Sequence, residues 1–341
     1  MTNITRRNFL LSVPALAPMI ATVPRVFAQT AKPAIQVKTL SHFALAVSDV
    51  KRSVDFYQGL FGMPIQTRQG STAILRIGNG PQFLAIGPAG SNPPSIAPIV
   101  GVSVENFNAD RLAGVLAQHG ITARIKKRGP ENGGAKEGTP ELFFNDPEGL
   151  VIQLTDTKYC GGAGALGEVC LASPEPSPKR GLIAVKDLSH FTINESDGTR
   201  SNAFYQELFG MPIRSRQGAA LGLGVGPGVM FLMFAGGGGG RGGANAGPRP
   251  ASINHVCMNM ENFKPDDVLK TLASYGITAR ENAQGPVGPL KSYISLRMEN
   301  RGGAKEGTPE LYFTDPDGLL IQLQDVSYCG GAGFLGNVCA G

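Results

Sequence analysis

The chain repeats itself. Phe-Tyr-Gln-Gly-Leu-Phe-Gly-Met-Pro-Ile at 56–65 returns as Phe-Tyr-Gln-Glu-Leu-Phe-Gly-Met-Pro-Ile at 204–213, an offset of 148. Gly133–Asp156 returns as Gly302–Asp325, an offset of 169, with 19 of 24 residues identical. Chance does not produce that, so one structural unit is written twice. The 341 residues therefore divide into two similar domains, each long enough to bury its own core. The second offset exceeds the first, and the extra residues of copy two fall mainly in Gly236–Gly247 and around Gly285–Arg297. Between the copies, Leu171–Ala184 holds Pro174, Pro176 and Pro178 and reads as a stiff connector. The glycine run at 236–243 lacks the Gly-Lys-Ser/Thr and helix start of a phosphate-binding loop.

Each copy spells the same order of elements. In copy one, Thr39–Val47 alternates as a strand, with Leu40, His42 and Ala44 against Ser41, Phe43 and Leu45. A helix follows, opened by Asp49, with Val50, Val54, Tyr57 and Phe61 on one stripe and Gly62 as its stop. Short strands are expected over 64–69, 73–78 and 82–87. The order then recurs: strand 98–104, helix 107–119, and strands 121–127, 140–145 and 150–155. The turn Asp146-Pro147-Glu148-Gly149 joins the last two as a hairpin. The pattern predicts an α+β fold of paired βαβββ modules, two per copy and four in the chain.

Residues 1–28 stand apart from this pattern. Thr5-Arg6-Arg7-Asn8-Phe9-Leu10-Leu11, a weakly apolar run and Val26-Phe27-Ala28 have the order of a signal peptide. The paired arginines before Phe-Leu resemble a twin-arginine export signal, with an ordinary secretory signal as the alternative. Export to the periplasm or medium is the expectation. Without Arg6, Arg7 and Arg25, the 31 basic residues fall to 28 against 26 acidic ones. So small an excess argues against nucleic acid or an anionic membrane as partner. No remaining stretch is long and apolar enough for a membrane helix. Four of the five cysteines lie in two copies of Tyr-Cys-Gly-Gly-Ala-Gly-x-Leu-Gly-x-Val-Cys, and an oxidising compartment favours the local disulfides Cys160–Cys170 and Cys329–Cys339. A thiolate metal site is the weaker alternative, since neither copy has a Cys-x-x-Cys or a neighbouring histidine.

His42, Phe56-Tyr57, Leu60–Met63 and Asp146–Leu154, with their partners His190, Phe204-Tyr205, Leu208–Met211 and Asp315–Leu323, carry a resemblance to the vicinal oxygen chelate superfamily. That family includes glyoxalase I, bleomycin-resistance proteins and extradiol dioxygenases. The resemblance implies domains at 37–157 and 185–326, with 158–184 as disulfide loop plus linker and 327–341 as a second disulfide loop. It also implies that paired modules curve around one small-molecule site, and that a divalent metal is held by first-strand and last-strand residues.

Carried over position by position, the ligands in copy two are His190, His255 and Gln322, where the family usually has glutamate. Strand parity turns all three to one side, together with Thr192, Cys257 and Gln324 as pocket residues. Two histidines and an oxygen donor approximate the facial triad of non-haem iron, so ferrous iron is the first expectation, with Mn2+, Zn2+ or Ni2+ after it. Tyr312 is a candidate proton donor or a core tyrosine. Cys257 reads as a buried thiol, a redox-sensitive pocket residue or an auxiliary ligand. Copy one keeps His42 and Gln153 but has Ile99 and Gly101 in place of His255 and Cys257, too few ligands for a metal. It reads as a degenerate structural or substrate-binding partner.

Two functions compete. One is a metal-dependent enzyme, a dioxygenase, lyase or isomerase acting on a small molecule with two adjacent oxygens. The other is an exported binding protein of the bleomycin-resistance type, in which His190 and His255 are hydrogen-bonded polar residues of a metal-free pocket. A purely structural module is a third, weaker reading. The duplication favours a monomer whose copies pair as an intramolecular pseudo-dimer.

Overall fold

The computed structural model describes residues 33–170, 174–236, 250–283 and 285–340. The expected signal at residues 1–28, most of the glycine run and the start of the connector lie outside them. The first copy forms β1 (Val37–Val47), α1 (Val50–Phe61), β2 (Ile65–Gln69), β3 (Thr72–Arg76), β4 (Phe83–Pro88), β5 (Ser95–Ile96), β6 (Ile99–Val104), α2 (Ala109–Gln118), β7 (Arg124–Arg128), β8 (Thr139–Asn145) and β9 (Val151–Asp156). The second forms β10 (Val185–Asn194), α3 (Gly198–Phe209), β11 (Ile213–Gln217), β12 (Ala220–Gly224), β13 (Phe231–Ala235), β14 (Ser252–Met260), α4 (Pro265–Ser274), β15 (Thr278–Ala279), β16 (Lys291–Arg297), β17 (Thr308–Thr314) and β18 (Leu320–Asp325).

Each copy makes one curled sheet. The strand orders are β2-β3-β4-β1-β6-β9-β8-β7 and β11-β12-β13-β10-β14-β18-β17-β16-β15. Within each module the first strand lies parallel to the last, as in β1 with β4 and β6 with β9. The two modules of a sheet then join antiparallel through their first strands. This is the expected arrangement of four βαβββ modules. Asp49 caps α1 by accepting from the Arg52 amide, and Gly62 ends it in the left-handed conformation at φ 68°. α2 is shorter than expected. The amides of His119, Gly120 and Ile121 turn back onto Ala117 and Leu116 carbonyls, which delays β7 until Arg124. In copy two β16 is two residues longer than β7, and Thr278–Ala279 adds β15 beside it at the sheet edge.

The proline-bearing connector is not free. Glu175 pairs with Ile65 as a strand would, and the Leu182 and Ile183 amides donate to the Leu60 carbonyl. The two copies pack on each other within the chain. Phe56 and Phe61 of α1 meet Phe313 of β17, with ring centroids 6.4 and 6.0 Å away. Phe204 and Phe209 of α3 meet Phe144 of β8 reciprocally. Tyr57 donates to Asp315 (3.3 Å) and Tyr205 to Asp146 (3.1 Å). Each copy's first helix thus covers the other copy's last hairpin, and one apolar core runs through both. Among the described residues no helix is long and apolar enough to cross a membrane.

Candidate functional site

The concave side of the second sheet carries the expected residues in one row. Phe231, His190, Cys257, Gln322, Tyr312 and Tyr293 stand in register across β13, β10, β14, β18, β17 and β16. Residues in register share a face. His255 stands one step along, opposite Thr192. The His190 and His255 rings meet edge to face at 5.5 Å, and Tyr312 meets His255 at 5.2 Å. His190 also stacks on Phe231 at 4.3 Å. So His190, His255, Gln322, Cys257, Thr192 and Tyr312 come together. Gln324 lies one row further, its amide donating to the Pro309 carbonyl.

The electrostatics favour neutral imidazoles. His190 is 2 % exposed and Gln322 1 %. Burial lowers His255 to about 4, with the Gln322 amide partly offsetting it. Burial, then the neighbouring His255, holds His190 well below the usual histidine range, and Arg297 adds to the effect. Ser189 Oγ meets His190 Nδ1 at 3.1 Å, and Asn254 Oδ1 meets His255 Nδ1 at 2.8 Å. Those contacts orient the rings. Nε2 of His255 and both amide atoms of Gln322 have no hydrogen bond of standard geometry. Ser215 Oγ, Asn259 Oδ1 and Gln324 Oε1 on the same sheet are also unpaired. Among the described residues no three histidine, cysteine or carboxylate side chains are placed to hold a metal. A metal here therefore depends on the Gln322 oxygen as third donor. Cys257 is fully buried, and its thiol is pushed well up by desolvation, so it is not a poised thiolate.

The two disulfides form as expected, Cys160–Cys170 and Cys329–Cys339. Their loops close over the concave faces, which the sequence reading did not foresee. Tyr328, beside Cys329, packs on Phe231 and Met233 and lies 5.5 Å from the His190 ring. Its hydroxyl donates to Glu310 (3.0 Å). Arg297 donates to the same Glu310 oxygen (2.7 Å) and to the carbonyls of Gly302 (2.7 Å) and Gly331 (3.0 Å). Tyr312 donates to the other oxygen of Glu310 (3.3 Å), and burial holds its phenol protonated. Copy one repeats the set with Arg128, Glu141 and Tyr159. The signal was present, since Arg128, Glu141 and Tyr159 recur at the offset of 169 as Arg297, Glu310 and Tyr328.

The first sheet has the parallel row Phe83, His42, Gly101, Gln153 and Phe143. There His42 stacks on Phe83 at 4.6 Å, and a Cβ on Gly101 would collide with its ring. The imidazole thus fills the space that Cys257 takes in the other copy. Burial lowers His42 to about 4. Gln153 reaches Tyr159 (3.4 Å), and among the described residues no polar side-chain atom of this concave face is both fully buried and unpaired. His119, and the Lys136-Glu137 and Lys305-Glu306 loops, are exposed.

Residues 39–154 match the family model of the Glyoxalase/Bleomycin resistance protein/Dioxygenase superfamily. No curated protein matches the chain by sequence. Among solved structures it is similar to homoprotocatechuate 2,3-dioxygenase from Arthrobacter globiformis, at 17% identity over 86% of this chain and 81% of that one, TM-score 0.58. The 2,3-dioxygenase LapB from Pseudomonas sp. KL28 matches at 16% identity over 85% of this chain and 92% of its own, TM-score 0.59. The Brevibacterium fuscum homoprotocatechuate 2,3-dioxygenase, in anaerobic complex with 3,4-dihydroxyphenylacetate, gives 16%, 86% and 83%, TM-score 0.57. At such identities the likeness shows the fold. The expected fold, two pairs of βαβββ modules on two curled sheets, is therefore the one observed.

Proposed function

We propose that the second copy holds the working site of a metal-dependent enzyme of the superfamily that the first copy matches. Its substrate would be a small molecule offering two adjacent oxygens, and the reaction an extradiol-type dioxygenation or a lyase or isomerase step. The observation that carries this is the contrast between the copies. The second concave face leaves His255 Nε2 and both Gln322 amide atoms fully buried without a hydrogen bond of standard geometry, and the first has no atom in that state. Buried polar atoms without partners are costly unless a ligand or water meets them. Those atoms fit a divalent cation, ferrous iron first and Mn2+, Zn2+ or Ni2+ after it. His190, His255 and the Gln322 oxygen would hold it. When bound it would supply Lewis acidity to the substrate oxygens.

The chain's own residues serve the other needs of such chemistry. Ser189 and Asn254 fix the imidazoles. Tyr312 keeps its proton beside His255, held by its hydrogen bond to Glu310. Tyr328 and its loop exclude water from the His190 side. Thr192, Cys257 and Gln324 shape the pocket, with His42 and Gln153 as the counterparts in a structural first domain. Export by the twin-arginine route belongs to the same proposal, supported by the two disulfides. So does a monomeric state.

Metal analysis tests the reading. Protein folded in bacterial cells should carry a divalent metal that washing does not remove and that His255→Ala loses. Metal below about 0.1 per chain in the wild type would end it. The second reading, a metal-free binding protein, draws on the neutral Gln322 and on the Arg297 guanidinium near His190, both of which weaken cation binding. It requires a planar ligand that raises the melting temperature equally with and without chelator.

A further inference from the structure

The two junctions between the copies are twins that differ at one buried position. In the first, Tyr57 donates to Asp315, the Ser48 amide donates to Asp317 (3.0 Å), and Arg52 pairs with Asp317. In the second, Tyr205 donates to Asp146, the Ser196 amide donates to Glu148 (3.0 Å), and Arg200 pairs with Glu148. Residue 47 ends β1 at the first junction, and residue 195, at the offset of 148, follows β10 at the second. Val47 is 1 % exposed, and Glu195 is 8 % exposed. Neither oxygen of the Glu195 carboxyl has a hydrogen bond of standard geometry, and neither does the neighbouring Ser201 Oγ. The fold builds this junction with valine at one end, so the acid at the other is not required for packing.

We infer that Glu195 makes the second junction a pH-sensitive latch between the copies, closed while the carboxyl keeps its proton and loosened when it ionises against Asp146 and Glu148. The groups around it are Asp146 and Glu148 from the β8–β9 turn and Asp197, Arg200 and Tyr205 from α3. Arg200 is committed to Glu148, and Tyr205 to Asp146. Burial pushes Glu195 up to about 8; Ser201 opposes this, and the charges of Asp146 and Glu148 reinforce it. The latch reaches the candidate site through a short chain. Asn194, next to Glu195, accepts from Asn254 (3.4 Å), and Asn254 orients His255.

An acid whose folded pKa lies above its unfolded value binds more protons when folded. Stability is therefore lost as pH rises from about 4.5 to about 8 and levels off above. The unfolding constant should rise up to tenfold per pH unit in that window from this group alone. The test is equilibrium unfolding of the full chain from pH 5 to 9, for wild type, Glu195→Val and Glu195→Gln. Amide exchange across Asp146–Leu150 is followed in parallel. The wild-type unfolding constant, taken relative to either variant, should climb by more than tenfold between pH 5 and 8, with exchange at the turn rising together. Should one variant fail to fold, the other carries the comparison. Identical pH dependence in wild type and the folded variants would overturn the inference.

Discussion

Arg297→Leu removes the cation at the centre of the second concave face. The side chain is fully buried and donates three hydrogen bonds, to Glu310, Gly302 and Gly331. At roughly 1 kcal/mol each, their loss is worth about 3 kcal/mol. Glu310 is left buried and charged, with only the Tyr328 and Tyr312 hydroxyls donating to it. Breaking a buried pair in this way typically costs about 3–5 kcal/mol, and that range is expected here. The double variant Arg297→Leu with Glu310→Gln removes both charges and should recover about half of the loss or more. Arg128→Leu in copy one should cost less, because Arg128 and Glu141 are slightly more exposed and its bond to Asn132 is longer, at 3.3 Å. Urea unfolding followed by far-ultraviolet circular dichroism suits the measurement, since urea does not screen charge and the chain has no tryptophan. A loss below about 1 kcal/mol for Arg297→Leu, or a double variant no more stable than the single one, would refute the reasoning.

Phe313→Ala empties a fully buried position between the copies and should destabilise the whole chain by about 3–5 kcal/mol in a single transition. Two separate transitions by calorimetry would contradict the shared core. Reducing both disulfides should cost on the order of 2–3 kcal/mol per bridge, read from melting with and without reductant. An unchanged melting temperature would show that the loops hold without them. Burial lowers His42 and His255 to about 4, so both should stay neutral in the native state from pH 7 to 5. The unfolded chain takes up protons there first, so the contribution of these two rings to stability should fall as pH drops from about 6.5 to about 4. A native-state histidine titration near 6.5 for either ring, followed by nuclear magnetic resonance, contradicts the buried placement.

The fold was legible because its signals are local. Asp49 and Gly62 mark the ends of α1, and the Asp146–Gly149 turn marks the β8–β9 hairpin. Strand parity put His190, His255 and Gln322 on one side, and the register agrees. Contacts set by tertiary packing were not legible. Glu175 gives no local hint that it pairs with Ile65. Likewise, nothing near Tyr328 says that its ring lies beside His190, 138 positions away. The Arg297–Glu310–Tyr328 set was recoverable only by asking which polar residues recur at the repeat offset. Glu195 needed the opposite question, which position of the repeat had changed from apolar to charged.

The exchange of helices between copies also sets the order in which the protein can be made. Phe56 and Phe61 leave the ribosome with α1, yet their cover, Phe313, is about 250 residues further on. At about 5–20 residues per second, those aromatic rings wait roughly 10–50 s for a neighbour. A nascent chain of this design is sticky for most of its synthesis, and something in the cell has to shield it until the last hairpin is translated.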